Sequence, residues 1–170
     1  MHFLLAAAFA LAADPTPDVA GTPVQSNLEY SMPIAGDWTY ATTNDGSQAT
    51  FANSGGPPQL TIRCTKSTRR VALLKPASSA SPSMWVWTSS QKKSLSATYD
   101  ASTAQVSVQL APYDPLLDAI ASSRGRVGFS TSGLEALVVP ASRHIARVVK
   151  CFAILTFPAS ARSEEECREF

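Results

Sequence analysis

The chain has 170 residues, 45% hydrophobic and 16% charged, with a formal net charge of +1. That length suits one domain, and the composition is too apolar for a disordered chain and too poor in glycine for a collagen. No run of about 18 apolar residues occurs, so no membrane-spanning helix is expected, and three Cys with two His are too few for a multi-metal protein.

Residues 1–13 read as a secretory signal peptide. The stretch 3–13 is apolar, Ala10 and Ala12 take the small-residue positions before a cleavage point, and Asp14-Pro15 ends it. No Lys or Arg precedes the run, so His2 and the terminal amine are its only positive groups. The alternative is an apolar first strand or buried helix. No Cys follows the small residues, which excludes lipid attachment there. Residues 14–34 are rich in Pro, Thr, Ser and Asp without periodicity, and read as a flexible tether. Charge is uneven along the chain: −3 over 1–34, +6 over 35–152 and −2 over 153–170. A single β-rich domain is thus expected over 35–152, followed by an acidic tail over 153–170.

Within the domain, short strand-like segments alternate with turn signals. Residues 36–42 end at Asn44-Asp45-Gly46, a hairpin signal, and 47–52 end at a Ser/Gly/Pro cluster. In 59–65, Leu60, Ile62 and Cys64 alternate against Thr61, Arg63 and Thr65. Residues 69–75 carry Val71 and Leu73 on one face. Residues 84–88 are a strand by their aromatic and β-branched content, and 94–99 and 105–111 follow. Asp114 then caps a short helix with Pro115 in its first position and Leu116, Leu117 and Ile120 on its buried side. Residues 127–131 and 134–139 read as a hairpin. Ser142 caps a last helix whose stripe is Ile145, Val148, Val149 and Phe152.

About nine strands and two late helices predict a mainly β (all-β or α+β) domain. The expected form is an antiparallel β-sandwich or partly open barrel with both helices packed on it. Nothing alternates β-α-β, so a doubly wound nucleotide fold is not expected.

Cys64 lies on the apolar face of its strand, and Cys151 beside the stripe of the last helix. Packing strand and helix together brings the two within bonding reach. In an oxidising compartment a Cys64–Cys151 disulfide is expected; the alternative is two buried thiols. Cys167, among Glu164, Glu165 and Glu166, is a poor redox centre.

Catalytic chemistry lacks its parts. Outside the signal stretch there is one His, His144, two helical turns from Cys151 and too distant to activate it. A zinc site would need Cys64, Cys151 and His144 together, with no paired-cysteine motif to announce it. No phosphate loop is present, and no cofactor is expected. Two aromatic residues two apart on a strand, Trp85 and Trp87, share a face. They form either a ligand-binding platform or, as is commoner, part of the core. Five basic residues, Arg124, Arg126, Arg143, Arg147 and Lys150, lie on or beside the two helices and can form one anion-binding patch. The alternative is that Arg124 and Arg126 bond nearby carbonyls or acids, and that the helix face is merely solvated.

Residues 114–126, continued through 137–140 to 147–151, resemble small exported alphaproteobacterial proteins of unassigned function. With Gly36-Asp37-Trp38 and Ile62-Arg63-Cys64, the similarity covers most of 35–151. More distantly, the Trp and Cys positions, the small β-domain and the late helix resemble the invasion-associated locus B family. That resemblance implies an envelope protein without catalytic activity.

The expectation is a non-catalytic exported or periplasmic envelope protein, an interaction or structural module. Its partner would be an envelope component, anionic if the basic patch carries the contact. A small-ligand or inhibitor-binding β-domain using the Trp face is the alternative, and a hydrolase the third reading. Neither a nucleic-acid partner nor a membrane span is expected, and the chain reads as a monomer.

Overall fold

The structure, a computed structural model, describes residue 28 and residues 30–155, with side chains through residue 152. The signal stretch, most of the tether and the acidic tail from residue 156 lie outside the described residues. β1 (Asp37–Thr43), β2 (Gly46–Ala52), β3 (Pro58–Thr65) and β4 (Arg70–Pro76) form an antiparallel meander. Period-two alternation turns Ala49, Phe51, Leu60, Ile62, Cys64, Val71 and Leu73 into the core, as a strand with one buried face requires. The Asp45 carboxylate accepts the Ser67 N–H at 3.0 Å and the Ser67 hydroxyl. That contact ties the β1–β2 turn to the β3–β4 turn.

The chain then crosses to a second sheet with β5 (Ser83–Trp87) and β6 (Lys92–Ser96), and returns with β7 (Thr98–Asp100) and β8 (Gln105–Leu110). After α1 (Pro115–Ala121) it crosses again for β9 (Arg126–Thr131) and β10 (Leu137–Pro140). The strand orders are β1-β2-β3-β4-β8-β7 and β10-β9-β5-β6, with every pair antiparallel. The result is the predicted mainly β fold in sandwich form, two sheets that do not close into a barrel.

One predicted strand, 94–99, is two strands in different sheets. The Ala97 N–H donates to the Pro82 carbonyl at 3.0 Å instead of joining a ladder, and the chain changes sheets there. Leu95, Ala97 and Tyr99 keep the same alternation across the break, so the sequence pattern does not register it.

Both helices start as their caps predict. The Asp114 carboxylate accepts the Leu116 N–H at 2.9 Å, and the Ser142 hydroxyl accepts the His144 N–H at 3.2 Å. α2 (Arg143–Val149) is shorter than its apolar stripe suggested. It tightens into a 3-10 helix over Lys150–Leu155, which still buries Phe152. α2 packs on β1, β2, β3 and α1. Met84, Val86, Val127 and Phe129 of the second sheet share one core with the first sheet and with Ile145 and Val148 of α2. At the edge the indole N–H of Trp38 donates to the Pro140 carbonyl at 2.9 Å, linking β1 of one sheet to β10 of the other.

Candidate functional site

Met84 and Val86 take the inner positions of β5, so Trp85 and Trp87 lie on the outer face of the second sheet. Both are partly exposed, which corrects the commoner expectation that they belong to the core. β6 places Lys92 opposite Trp87 on the same face. Its ammonium lies 5.1 Å from the Trp85 ring centre and 5.9 Å from that of Trp87, within cation–π range. Trp38 and Tyr40 are not part of this group. Trp38 packs on Phe51 with ring centres 5.5 Å apart, and Tyr40 lies under Arg147.

At the end of β5 the outer face deepens into a cleft of about 370 Å³. Trp87, Lys92, Arg124 and Arg126 line it, with Leu28 and Gly128 below. Among the described residues, its lining holds no carboxylate. Its rim is built by hydrogen bonds between two distant loops. The Ser123 hydroxyl donates to the Arg126 carbonyl at 2.6 Å and accepts the Ser89 N–H at 3.0 Å. The Ser89 hydroxyl in turn accepts the Arg124 N–H at 3.0 Å. Thr88 bends the β5–β6 loop by accepting the Gln91 N–H at 3.0 Å, and the Gln91 side chain donates to the Pro115 carbonyl at 3.2 Å. Trp87 and the two arginines are thus presented on a braced frame, the condition for a pre-formed site.

The last residues of the expected tether form part of this site. Leu28 is buried against Gly128, where a side chain in place of the glycine hydrogen would meet Leu28 Cδ1 at 3.3 Å. The Arg126 guanidinium donates to the Ser31 carbonyl at 2.7 Å, and the Ile34 N–H donates to the Val138 carbonyl at 2.9 Å. Leu28, Ser31 and Ile34 therefore make contacts with the second sheet. Residues 14–27 and residue 29 of the expected tether lie outside the described residues.

The five basic residues divide. Arg124 and Arg126 line the cleft, and Arg143, Arg147 and Lys150 do not. Arg126 bonds a backbone carbonyl, as the blander of the two expectations has it. Arg147 stacks on Tyr40, with its guanidinium carbon 3.9 Å from the ring centre. Arg143 and Lys150 are exposed on α2 and just past its end.

Cys64 and Cys151 are joined as a disulfide, with their Cα atoms 6.5 Å apart, so Cys151 presents no thiol. His144 stacks on Tyr40 with ring centres 6.4 Å apart. Its Nδ1 is buried with no hydrogen-bond partner among the described residues. Among the described residues, no group of three His, Cys, Asp or Glu is placed to hold a metal. No helix there is long and apolar enough to cross a membrane.

Sequence reasoning passed over Lys75. Val71 and Leu73 alternate inward on β4, and the same alternation buries Lys75 to 9% exposure. Burial pushes its amine below the ordinary lysine range, and the Glu135 carboxylate pulls it part of the way back. In the window between its lowered pKa and the ordinary 10.5, the folded state binds fewer protons than the unfolded chain. Stability from this group therefore rises with pH through that window. Lys75→Met is expected to stabilise the fold by about 1 kcal/mol at pH 7. The gain should shrink as pH rises toward that of a free lysine, which denaturant melts of both proteins at several pH values will read.

No family model, curated protein or solved structure matches the chain.

Proposed function

We propose that this chain is a non-catalytic binding module of the exported or periplasmic compartment, and that it holds an anionic ligand of the envelope in the Trp87 cleft. The observation that carries this reading is one cleft lined by the Trp87 indole and the Arg124 and Arg126 side chains, with no carboxylate among its described lining residues. Such a site suits a phosphate, sulfate or carboxylate group attached to a flat or sugar-like body. The guanidinium groups meet the anion, and the indole covers the body. The volume is that of a small-molecule site rather than of an extended protein interface.

The compartment rests on the signal-like residues 1–13 and on the Cys64–Cys151 disulfide, which suits an oxidising environment. The resemblance to exported alphaproteobacterial proteins, and more distantly to the invasion-associated locus B family, belongs to the same proposal. The absence of catalysis rests on His144, stacked on Tyr40, and on Cys151, held in a disulfide.

The test is a titration with phosphorylated and sulfated sugars and aryl phosphates, followed by tryptophan fluorescence. At least one class is expected to bind and to quench. Arg124→Glu should weaken that binding by about tenfold or more, and raised salt should weaken it further. Trp87→Ala should cost a comparable factor. Binding that is unchanged by both substitutions, or no binding across the whole panel, would remove this cleft from the account.

A further inference from the structure

A second cleft, of about 480 Å³, opens beside the start of β3, the end of β4 and the start of β10, away from Trp87. Pro57, Pro58, Pro76 and Leu137 give it apolar walls. Lys75 reaches it from the core face of β4, and Glu135 is the only other charged residue in its lining. Among the described residues, no hydrogen bond to the Lys75 amine is made, although the side chain is 9% exposed. An amine so placed is poorly solvated as an ammonium, and its neutral form is the nucleophile.

We propose that Lys75 is a carbonyl-capture site, which takes small uncharged aldehydes of apolar body as an imine within this cleft. The amine lone pair attacks the carbonyl carbon, and the carbonyl electron pair moves to oxygen, which takes up a proton. Nitrogen gives up a proton, and the carbinolamine then expels water as the carbon–nitrogen double bond forms. Amine and aldehyde become imine and one water, with no oxidant or reductant. Glu135, in the same lining, acts on the Lys75 amine through its charge, and bulk solvent carries the protons between nitrogen and the departing oxygen. The walls explain the preference for an apolar body, and the carboxylate disfavours an anionic one. This site shares no lining residue with the Trp87 cleft, so either can fail without the other.

The folded wild-type chain with its disulfide intact is treated with benzaldehyde and sodium cyanoborohydride at pH 7, and the benzylated lysines are mapped by mass spectrometry. An exposed lysine with pKa about 10.4 is neutral only about once in 2,500 molecules at that pH. Lys75, held in this cleft with its amine below the ordinary lysine range, is expected to be labelled faster than Lys66 or Lys150. The advantage should vanish near pH 10.5, and 4-carboxybenzaldehyde should label Lys75 more slowly than benzaldehyde. Labelling of Lys75 no faster than that of the exposed lysines would overturn the proposal. So would labelling that begins only once the protein is unfolded.

Discussion

Replacing Cys64 and Cys151 together by alanine should cost the domain about 3–4 kcal/mol. The two residues are 87 apart in sequence, so the bond closes a long loop. The chain-entropy model puts such a closure at about 4–5 kcal/mol, and measured values usually fall short of it. Its position adds a local effect. Cys64 is on β3 and Cys151 in the 3-10 turn after α2, so the bond fastens the end of the last helix to the sheet it covers. Without it, the described side chains that still anchor the 3-10 turn by burial are Cys151 and Phe152. Urea unfolding of the double variant, beside the wild type with and without reductant, reads the loss. Reduced wild type should approach the double variant. A loss below about 1 kcal/mol would mean that this contact contributes little to the closed fold.

Gly46→Ala should be as damaging, about 3–4 kcal/mol, through a different cause. Gly46 opens β2 with φ of +146°, a backbone region that side-chain-bearing residues rarely adopt. A methyl group there would overlap the Cys64 carbonyl oxygen, a backbone atom that cannot step aside without moving β3. The shift would reach the disulfide directly, and the Asp45–Ser67 contact that joins the two turns. Gly55→Ala is the control. Its φ is +69° and nothing lies within 4 Å of the added methyl, so only the conformational cost of about 1 kcal/mol is expected. Equal losses at the two positions would show that the overlap at Gly46 is relieved by a small local shift.

The strands with one apolar phase were legible in the sequence. Leu60, Ile62 and Cys64, or Val106, Val108 and Leu110, leave a single choice of inner face, and the structure buries them all. The caps at Asp114 and Ser142 were legible because a short oxygen-bearing side chain before an apolar stripe has one local use. β5 was not, because Met84-Trp85-Val86-Trp87 is apolar in both phases, and alternation alone cannot say which pair turns outward. The passage between sheets at Ala97 was hidden for a related reason: the alternation runs through it unbroken. The Trp87 cleft brings together residue 28, the β5–β6 loop and the α1–β9 connection, and no local pattern announces a meeting of three distant segments. Leu28 in particular docks on a missing side chain, that of Gly128. Lys75 was within reach, since extending the alternation of Val71 and Leu73 by two residues turns it inward. A lysine near a strand end is ordinarily read as solvated, and that habit concealed it.

On the proposed function, the protein is exported and folds around its disulfide before it meets its ligand. Fractionation of the tagged protein from its native host, with alkylation of free thiols at lysis, tests this most directly. The predicted result is recovery in the periplasmic or secreted fraction, shortened near residue 13, with Cys64 and Cys151 both protected from the alkylating reagent. Recovery in the cytosol at full length, with both cysteines alkylated, would contradict it.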